Sequence, residues 1–349
     1  MDTKILSTTE QDIEKAAAVI KNGGLVAFPT ETVYGLGADA LNEEAVSKIY
    51  IAKGRPSDNP MIVHIACCGD MDMLTPNISE DAKILMKNFW PGPMTMIVNK
   101  KDIVPERTTG GLDTVAVRMP DSKTALALIS KAGCPIAAPS ANLSGSPSPT
   151  RAEDVIDDMQ GRIDVVISGE DCQIGIESTV IDMTGNLPVI LRPGILTAEE
   201  ISKVLGKSVI YDKALSQKPQ DSDFKPKSPG MKYKHYAPKA EMIIVESGTS
   251  CGSEPDKGNL RNKNIREKIE KIKREKEEEG LKVGVIIFDE SERQVFRKAA
   301  NQFFARLRDL DKEGVDVILA GALDEENQIG FAVMNRMLKS AGYNVIKEK

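Results

Sequence analysis

A polar, proline-rich segment at about residues 213–239 is the feature that most limits how this chain can fold. On both sides of it, short apolar runs alternate with amphipathic helical patterns, whereas the segment itself has the composition of a linker. The chain of 349 residues is also long enough for two domains. The sequence therefore predicts an α/β domain over residues 1–212, a linker over 213–239 and a second α/β domain over 240–349. Several aromatic and apolar residues in the linker, among them Tyr236, indicate that it can lie across a domain surface.

The first predicted domain mixes strands and helices. Its strands are expected at 25–28, 61–65, 94–98, 114–118, 136–138, 165–168, 178–182 and 189–191. In the second domain, strands at 242–245, 283–288 and 315–320 alternate with helices, which predicts a small parallel sheet.

The composition excludes several classes of protein. With 41% hydrophobic and 28% charged residues, the chain is typical of globular proteins. The net charge of −6 argues against a generally basic nucleic-acid-binding surface, though it permits a local basic cleft. No apolar run approaches the ~20 residues that a membrane span needs, and the start lacks the pattern of a signal peptide. Five cysteines without a C-x-x-C pair predict reduced thiols and a cytoplasmic protein. A metal site at His64 and Cys67 is disfavoured, because only one other histidine is present.

The stretch from Lys53 to Asn59 holds the most informative charges. A helix is predicted at 43–52 with Asn42 as its N-cap, and Lys53 continues the inward face of that helix. A lone lysine there would merely complement the helix C-terminus. With Arg55 two residues later in a loop stiffened by prolines, a phosphate or carboxylate site is favoured.

Other candidate binding residues are spread along the first domain. Arg118 shares one side of its predicted strand with small residues, so it either faces a ligand pocket or lies at a sheet edge in water. The loop 139–148 is rich in donors and is either a solvated linker or an anion-binding loop. Gly35-x-Gly37-x-x-Ala40 formally matches a dinucleotide fingerprint, but it lies too far from the preceding strand and the following helix. Together, cations from four places and several hydroxyls suit phosphate and carboxylate binding, with catalysis by positioning and charge stabilisation. They are Lys53, Arg55, Arg118 and Arg192, with Thr32, Ser140, Ser148 and Ser178.

Five short motifs resemble those of a known family. They are the stretches 28–36 (FPTETVYGL), 53–56 (KGRP), 89–95 (FWPGPMT), 139–142 (PSAN) and 192–194 (RPG). These motifs resemble the YrdC-type threonylcarbamoyl-adenylate synthases. The segment 228–238 (SPGMKYKHYAP) and Ala332-x-x-Asn335-Arg336 resemble the linker and C-terminal domain of the long, two-domain members. The resemblance implies a YrdC-like mixed twisted sheet with helices, followed by a small Rossmann-like parallel domain.

The resemblance also implies a reaction and a set of site residues. L-threonine, bicarbonate and ATP would give threonylcarbamoyl-adenylate and pyrophosphate. Lys53 and Arg55 would be catalytic, neutralising charge on the phosphates. Threonine would be held by Thr32, His64, Arg118, Ala138 and Ser178. ATP would be held by Lys53, Arg55, Asn59, Thr114, Ser140, Asn142, Ser148 and Arg192, with Tyr236 closing over the nucleotide. An ordinary core histidine remains the alternative for His64.

The implied partners follow from the same resemblance. Magnesium would be held mainly by phosphate oxygens rather than by a protein site. Downstream proteins would transfer the threonylcarbamoyl group to tRNA, and whether this chain binds tRNA directly is left open. One alternative is a carbamoyl-adenylate-forming enzyme of hydrogenase maturation, although the zinc-type cysteine pairs of that group are absent here. Another is an RNA-binding module that uses the lysines at 225–239.

Overall fold

The structure is a computed structural model that describes residues 2–216, 235–247, 255–289 and 294–347. It divides into two compact units. The first comprises Met1–Ser144 and Ser148–Tyr233, and the second comprises Gly145–Pro147 and Lys234–Lys349. Most of the predicted linker falls outside the described residues, so its role as a closing segment stays a prediction.

The first unit is built on a mixed sheet of 11 strands. In chain order these are β1 (Lys4–Leu6), β2 (Val26–Phe28), β3 (Gly35–Asp39), β4 (Ile62–His64), β5 (Met94–Asn99), β6 (Thr114–Arg118), β7 (Ile136–Ala137), β8 (Val165–Ile167), β9 (Thr179–Asp182), β10 (Val189–Arg192) and β11 (Ile210–Tyr211). Their order across the sheet is β1-β8-β2-β3-β7-β4-β6-β5-β9-β10-β11. Parallel and antiparallel neighbours both occur, which confirms the predicted mixed sheet.

Eight α-helices accompany the sheet among the described residues of this unit. They are α1 (Glu10–Lys21), α2 (Glu43–Lys53), α3 (Met71–Leu74), α4 (Glu80–Phe89), α5 (Glu106–Thr109), α6 (Lys123–Ala132), α7 (Ala152–Met159) and α8 (Ala198–Leu205). Helix α2 begins where predicted, because the Asn42 side chain accepts a hydrogen bond from the Ala45 N–H at 3.1 Å. It ends at Gly54, whose φ of 62° is left-handed and suits glycine.

The core lies on both faces of the sheet. Val26 and Phe28 of β2 pack with buried residues of α1 and α6, whereas Ala27 between them packs with buried residues of α2. Successive side chains of a strand point to opposite faces, so a strand covered on both faces must be apolar throughout. This explains why the strands appear in the sequence as short continuous apolar runs.

The second unit contains a small sheet in the order β13-β14-β12-β15, with all neighbours parallel. The strands are β12 (Glu241–Val245), β13 (Val283–Ile286), β14 (Val317–Gly321) and β15 (Val345–Ile346), and the helices are α9 (Pro255–Glu278), α10 (Val295–Glu313) and α11 (Gln328–Ser340). The predicted small parallel α/β fold is confirmed. No helix among the described residues combines the length and apolar character required to cross a membrane.

Strand β3 was not predicted, because its glycines suggested a loop. A Cβ on Gly37 would lie 2.6 Å from Ile136 Cγ2 and 2.8 Å from a ring carbon of Phe28. Glycine therefore lets neighbouring side chains close over the strand. This packing role agrees with the rejection of Gly35-x-Gly37 as a dinucleotide fingerprint.

Candidate functional site

Several predicted site residues lie at the same end of neighbouring strands. His64 ends β4 and Arg118 ends β6, and the two are direct partners in this parallel pair. Thr95 lies near the start of β5, which is antiparallel to β6. Ser178 directly precedes β9, which is parallel to β5, and Arg192 ends β10, which is antiparallel to β9. The sheet order thus brings residues distant in sequence to the same end of neighbouring strands.

Arg118 is buried at this end of the strands, with 4% of its surface exposed. Its Nη1 donates to Thr32 Oγ1 at 2.9 Å, and its Nε donates to the Gly92 carbonyl at 3.2 Å. Its Nη2 lies 2.6 Å from Oε1 of the buried Glu31. The alternative of an edge-strand arginine in water is wrong, because β6 lies between β4 and β5.

A second arginine is fixed on Ser178. Arg192 donates through Nε to the Ser178 carbonyl at 3.0 Å and through Nη2 to the Ser178 hydroxyl at 3.1 Å. The Ser178 hydroxyl also lies 2.7 Å from Thr95 Oγ1. Next to Ser178, the carboxylate of Glu177 accepts a hydrogen bond from Ser148 Oγ at 2.6 Å. Five buried side chains, counting Ser178 itself, therefore meet at the turn that precedes β9.

Lys53 lies on the inward face of α2 as predicted, with 3% of its surface exposed. Its Nζ donates to the carbonyls of Ser140 and Asn142, at 2.5 Å each. The ammonium group therefore fixes the loop that carries these two residues. The same loop is braced internally by Ser140 Oγ, which donates to Asn142 Oδ1 at 2.5 Å.

Arg55 follows on the half-buried turn after α2. Its Nη2 donates to the Pro60 carbonyl at 2.9 Å and its Nε to the Asn59 carbonyl at 3.4 Å. Asn59 is 1% exposed. Its buried Oδ1 accepts no hydrogen bond from the described residues. A buried amide oxygen of this kind favours the arrival of an external donor.

The loop between β2 and β3 contacts both Arg118 and the 140–142 loop that Lys53 holds. Gly35 forms a bridge with Ser140, and the Ala141 N–H donates to the Tyr34 carbonyl at 2.8 Å. From the same loop, Thr32 contacts Arg118 through its hydroxyl. Nearby, the buried Ala138 donates its N–H to the Ile62 carbonyl at 2.9 Å. Separate turns of the first unit are thus joined through shared contacts.

Two further predicted residues, Thr114 and Tyr236, lie elsewhere in the fold. Thr114 begins β6, four residues before Arg118, which corresponds to about 13 Å along the strand. Tyr236 belongs to the second unit. There its ring lies 5.1 Å from that of Phe304, and 6% of its surface is exposed. Its predicted role over the nucleotide stays a prediction.

Sequence reasoning gave no role to Glu31 or Thr95. Thr95 occurs in a recognised motif, but only its contact with Ser178 connects it with the site. Glu31 is the one acidic residue in the hydroxyl-rich loop 29–34. The signal that could have identified Glu31 was its position as the one acidic residue of this loop, which the structure buries.

His64 gives the first testable prediction. Burial, and then the charge of Arg118, lowers the pKa of His64 to about 3. The unfolded chain therefore binds a proton at His64 below about pH 6.5 that the folded chain does not. Between pH 6.5 and pH 4.5 this histidine should remove about 2 kcal/mol from the free energy of unfolding.

The measurement compares the wild type with His64→Gln. Urea unfolding at both pH values can be followed through Trp90, the single tryptophan, which is buried in the first unit. The variant should lose about 2 kcal/mol less than the wild type on acidification. Equal losses would show that the imidazole is not held neutral.

Comparison with known proteins adds independent findings. The family profile described as Telomere recombination, which unites Sua5, YciO and YrdC proteins, matches residues 18–194. The profile described as Threonylcarbamoyl-AMP synthase, C-terminal domain matches residues 196–342.

Two curated relatives and one solved structure cover nearly the whole chain. The Threonylcarbamoyl-AMP synthase of Pyrococcus abyssi is 50% identical, over 97% of this chain and 96% of that protein. The protein of the same name from Bacillus subtilis is 45% identical, over 99% of this chain and 97% of that protein. The crystal structure of P. abyssi Sua5 complexed with L-threonine matches with a TM-score of 0.89 and 48% identity, covering 99% of this chain and 100% of that one. This confirms the predicted fold class, and the chain belongs to the Sua5–YciO–YrdC family.

Proposed function

We propose that this protein is an L-threonylcarbamoyladenylate synthase, a nucleotidyltransferase that acts on L-threonine, bicarbonate and ATP. The observation that carries the proposal is the match to the P. abyssi and B. subtilis proteins of that name at 50% and 45% identity, each over at least 96% of both partners. The likeness to the crystal structure of P. abyssi Sua5 complexed with L-threonine supports the amino-acid substrate.

Arg118 and its neighbours Glu31 and Thr32 are suited to binding an amino acid. Two of the three described contacts of Arg118 are made by the nitrogens of its terminal fork, and each fork nitrogen has a second N–H. A carboxylate can therefore add to this guanidinium. We assign the threonine site to Thr32, His64, Arg118, Ala138 and Ser178.

Lys53 and Arg55, with Ser140 and Asn142 of the neighbouring loop, form the Lys53 group, which is suited to binding the triphosphate. Lys53 and Arg55 bring two cations to a loop-rich region, and the carbonyls that Lys53 contacts place the backbone of the 140–142 loop beside its charge. We assign ATP to this group together with Asn59, Thr114, Ser148, Arg192 and Tyr236. Lys53 and Arg55 would act catalytically, by stabilising charge that develops on the phosphates.

In the proposed reaction the threonine amine first takes up bicarbonate to form a carbamate. A carbamate oxygen then attacks the α-phosphorus of ATP, and pyrophosphate leaves. The described residues contain no group of three His, Cys, Asp or Glu side chains that could hold a metal. Magnesium would be held mainly by the phosphates, and when bound it would neutralise part of their charge. The product would supply cytoplasmic proteins that transfer the threonylcarbamoyl group to tRNA.

The test is incubation of the protein with ATP, bicarbonate and each amino acid in turn, with the adenylate detected by mass. Threonine should give threonylcarbamoyl-adenylate and pyrophosphate. An adenylate formed only from carbamoyl phosphate would favour the hydrogenase-maturation reaction instead. Steeply salt-dependent tRNA binding without any adenylate would favour the RNA-binding alternative.

A further inference from the structure

Glu31 is a buried carboxylate whose bonding capacity is unfilled. Its side chain is 7% exposed, and its described partner is the Arg118 guanidinium, 2.6 Å from Oε1. The orientation of this pair is not that of a hydrogen bond, and neither Glu31 oxygen accepts a hydrogen bond from the described residues. A carboxylate offers about four acceptor positions, and a buried one is strongly disfavoured while they remain empty. The geometry thus favours a donor that arrives with a ligand.

The position of Glu31 indicates which donor this is. Thr32, the next residue, and Arg118 both belong to the proposed threonine site, so this inference rests on the proposed function. If the substrate carboxylate binds Arg118, the ammonium group, on the adjacent carbon, comes close to the carboxylate paired with that arginine. An ammonium group supplies both positive charge and up to three N–H donors.

Charge balance then gives Glu31 a second task. Before the reaction, the Arg118 cation, the Glu31 anion and zwitterionic threonine sum to zero. Carboxylation converts the ammonium into a carbamate anion, which places like charges beside each other in a buried site. Two anions held close together in a buried site repel each other strongly. A Glu31 that takes up the proton removes this repulsion.

We propose that Glu31 accepts the proton which the threonine ammonium group loses on carboxylation. In this step R–NH₃⁺, HCO₃⁻ and the Glu31 carboxylate give R–NH–COO⁻, H₂O and the Glu31 carboxylic acid. The nitrogen forms a bond to the bicarbonate carbon, and a C–O bond of bicarbonate breaks. Its hydroxyl leaves as water with the second proton of the amine. Atoms and charge balance, and no oxidant or further reactant is needed.

The experiment compares two directions of the reaction in Glu31→Gln. The forward reaction is pyrophosphate release from ATP with threonine and bicarbonate. The reverse test supplies synthetic threonylcarbamoyl-adenylate with pyrophosphate and measures ATP, so it does not begin with amine deprotonation. Forward turnover should fall about 100-fold or more, whereas ATP formation should stay within about threefold of wild type. Forward turnover of the variant should also rise with pH, because threonine itself then supplies more free amine.

Asp154→Asn is the matched control. Asp154 is also a buried carboxylate of the first unit. It accepts hydrogen bonds from Arg151 Nε at 2.9 Å and from Arg151 Nη2 at 3.2 Å. Its substitution should leave the ratio of forward to reverse rates unchanged, even if the fold is weakened.

Equal losses in both directions for Glu31→Gln would overturn the proposal, since they would mean that Glu31 only holds Arg118 in place. Unchanged forward turnover would overturn it as well. Failure of the proposed function is distinguishable, because the wild type itself would then release no pyrophosphate with threonine.

Discussion

Replacing Lys53 or Arg55 with alanine is expected to abolish threonine-dependent pyrophosphate release, with losses of at least about 10²–10³-fold for each substitution. Each change removes a cation that we place on the phosphates of ATP. Arg55→Ala is the sharper test, because this side chain is half-buried, whereas Lys53 is buried, and it donates to the nearby carbonyls of Asn59 and Pro60. Its thermal unfolding should stay close to that of the wild type while activity is lost.

Arg107→Ala serves as the matched control for these two variants. Arg107 is also half-buried, it donates to Ser47 Oγ at 3.1 Å and lies over the Tyr50 ring, and it is not among the residues assigned to ATP or threonine. Pyrophosphate release by this variant should remain near the wild-type rate. Near-normal release from the Lys53 or the Arg55 variant would refute the assignment of that residue.

Replacing Arg118 with methionine is expected to lower the free energy of unfolding of the first unit by about 3–5 kcal/mol. The reason is that Glu31 would keep a buried negative charge without the guanidinium, which lies 2.6 Å away in the intact protein. Unfolding in urea followed through Trp90 fluorescence isolates this unit, since the chain has one tryptophan. Threonine-dependent activity should disappear in the same variant.

Adding Glu31→Gln to Arg118→Met should restore about half or more of the lost stability, because the uncompensated charge is then gone. A double variant that is less stable than Arg118→Met, by the full cost of Glu31→Gln alone, would show that the two side chains do not interact. Activity is not expected to return in the double variant, because the proposed carboxylate anchor remains absent.

Much of the fold could be predicted because both sheets are covered by helices. Strands buried on two faces must be apolar throughout, and this pattern is visible locally, as in β2 at 26–28. Strand β3 was missed for the opposite reason. Its glycines are selected by the close approach of Phe28 on the neighbouring strand and of Ile136, which is about 100 residues away in sequence.

The site could be predicted in part. The cationic and hydroxyl side chains could be identified by residue type, and the motif resemblance supplied their candidate roles. What they contact could not be predicted. Lys53 was expected to face an anion directly, whereas its Nζ also holds the carbonyls of Ser140 and Asn142. The nucleotide and threonine roles themselves stay predictions that the proposed variants test.

The sequence alone determined the alternation of strands and helices, the inward position of Lys53 and the family to which the chain is similar, because these depend on local periodicity and on short motifs. Only the tertiary structure decided that Arg118 is buried and paired with Glu31, because that pairing depends on β6 lying inside the sheet and on the 29–34 loop reaching it. Neighbours in a sheet are set by packing over the whole unit, and no local pattern records them.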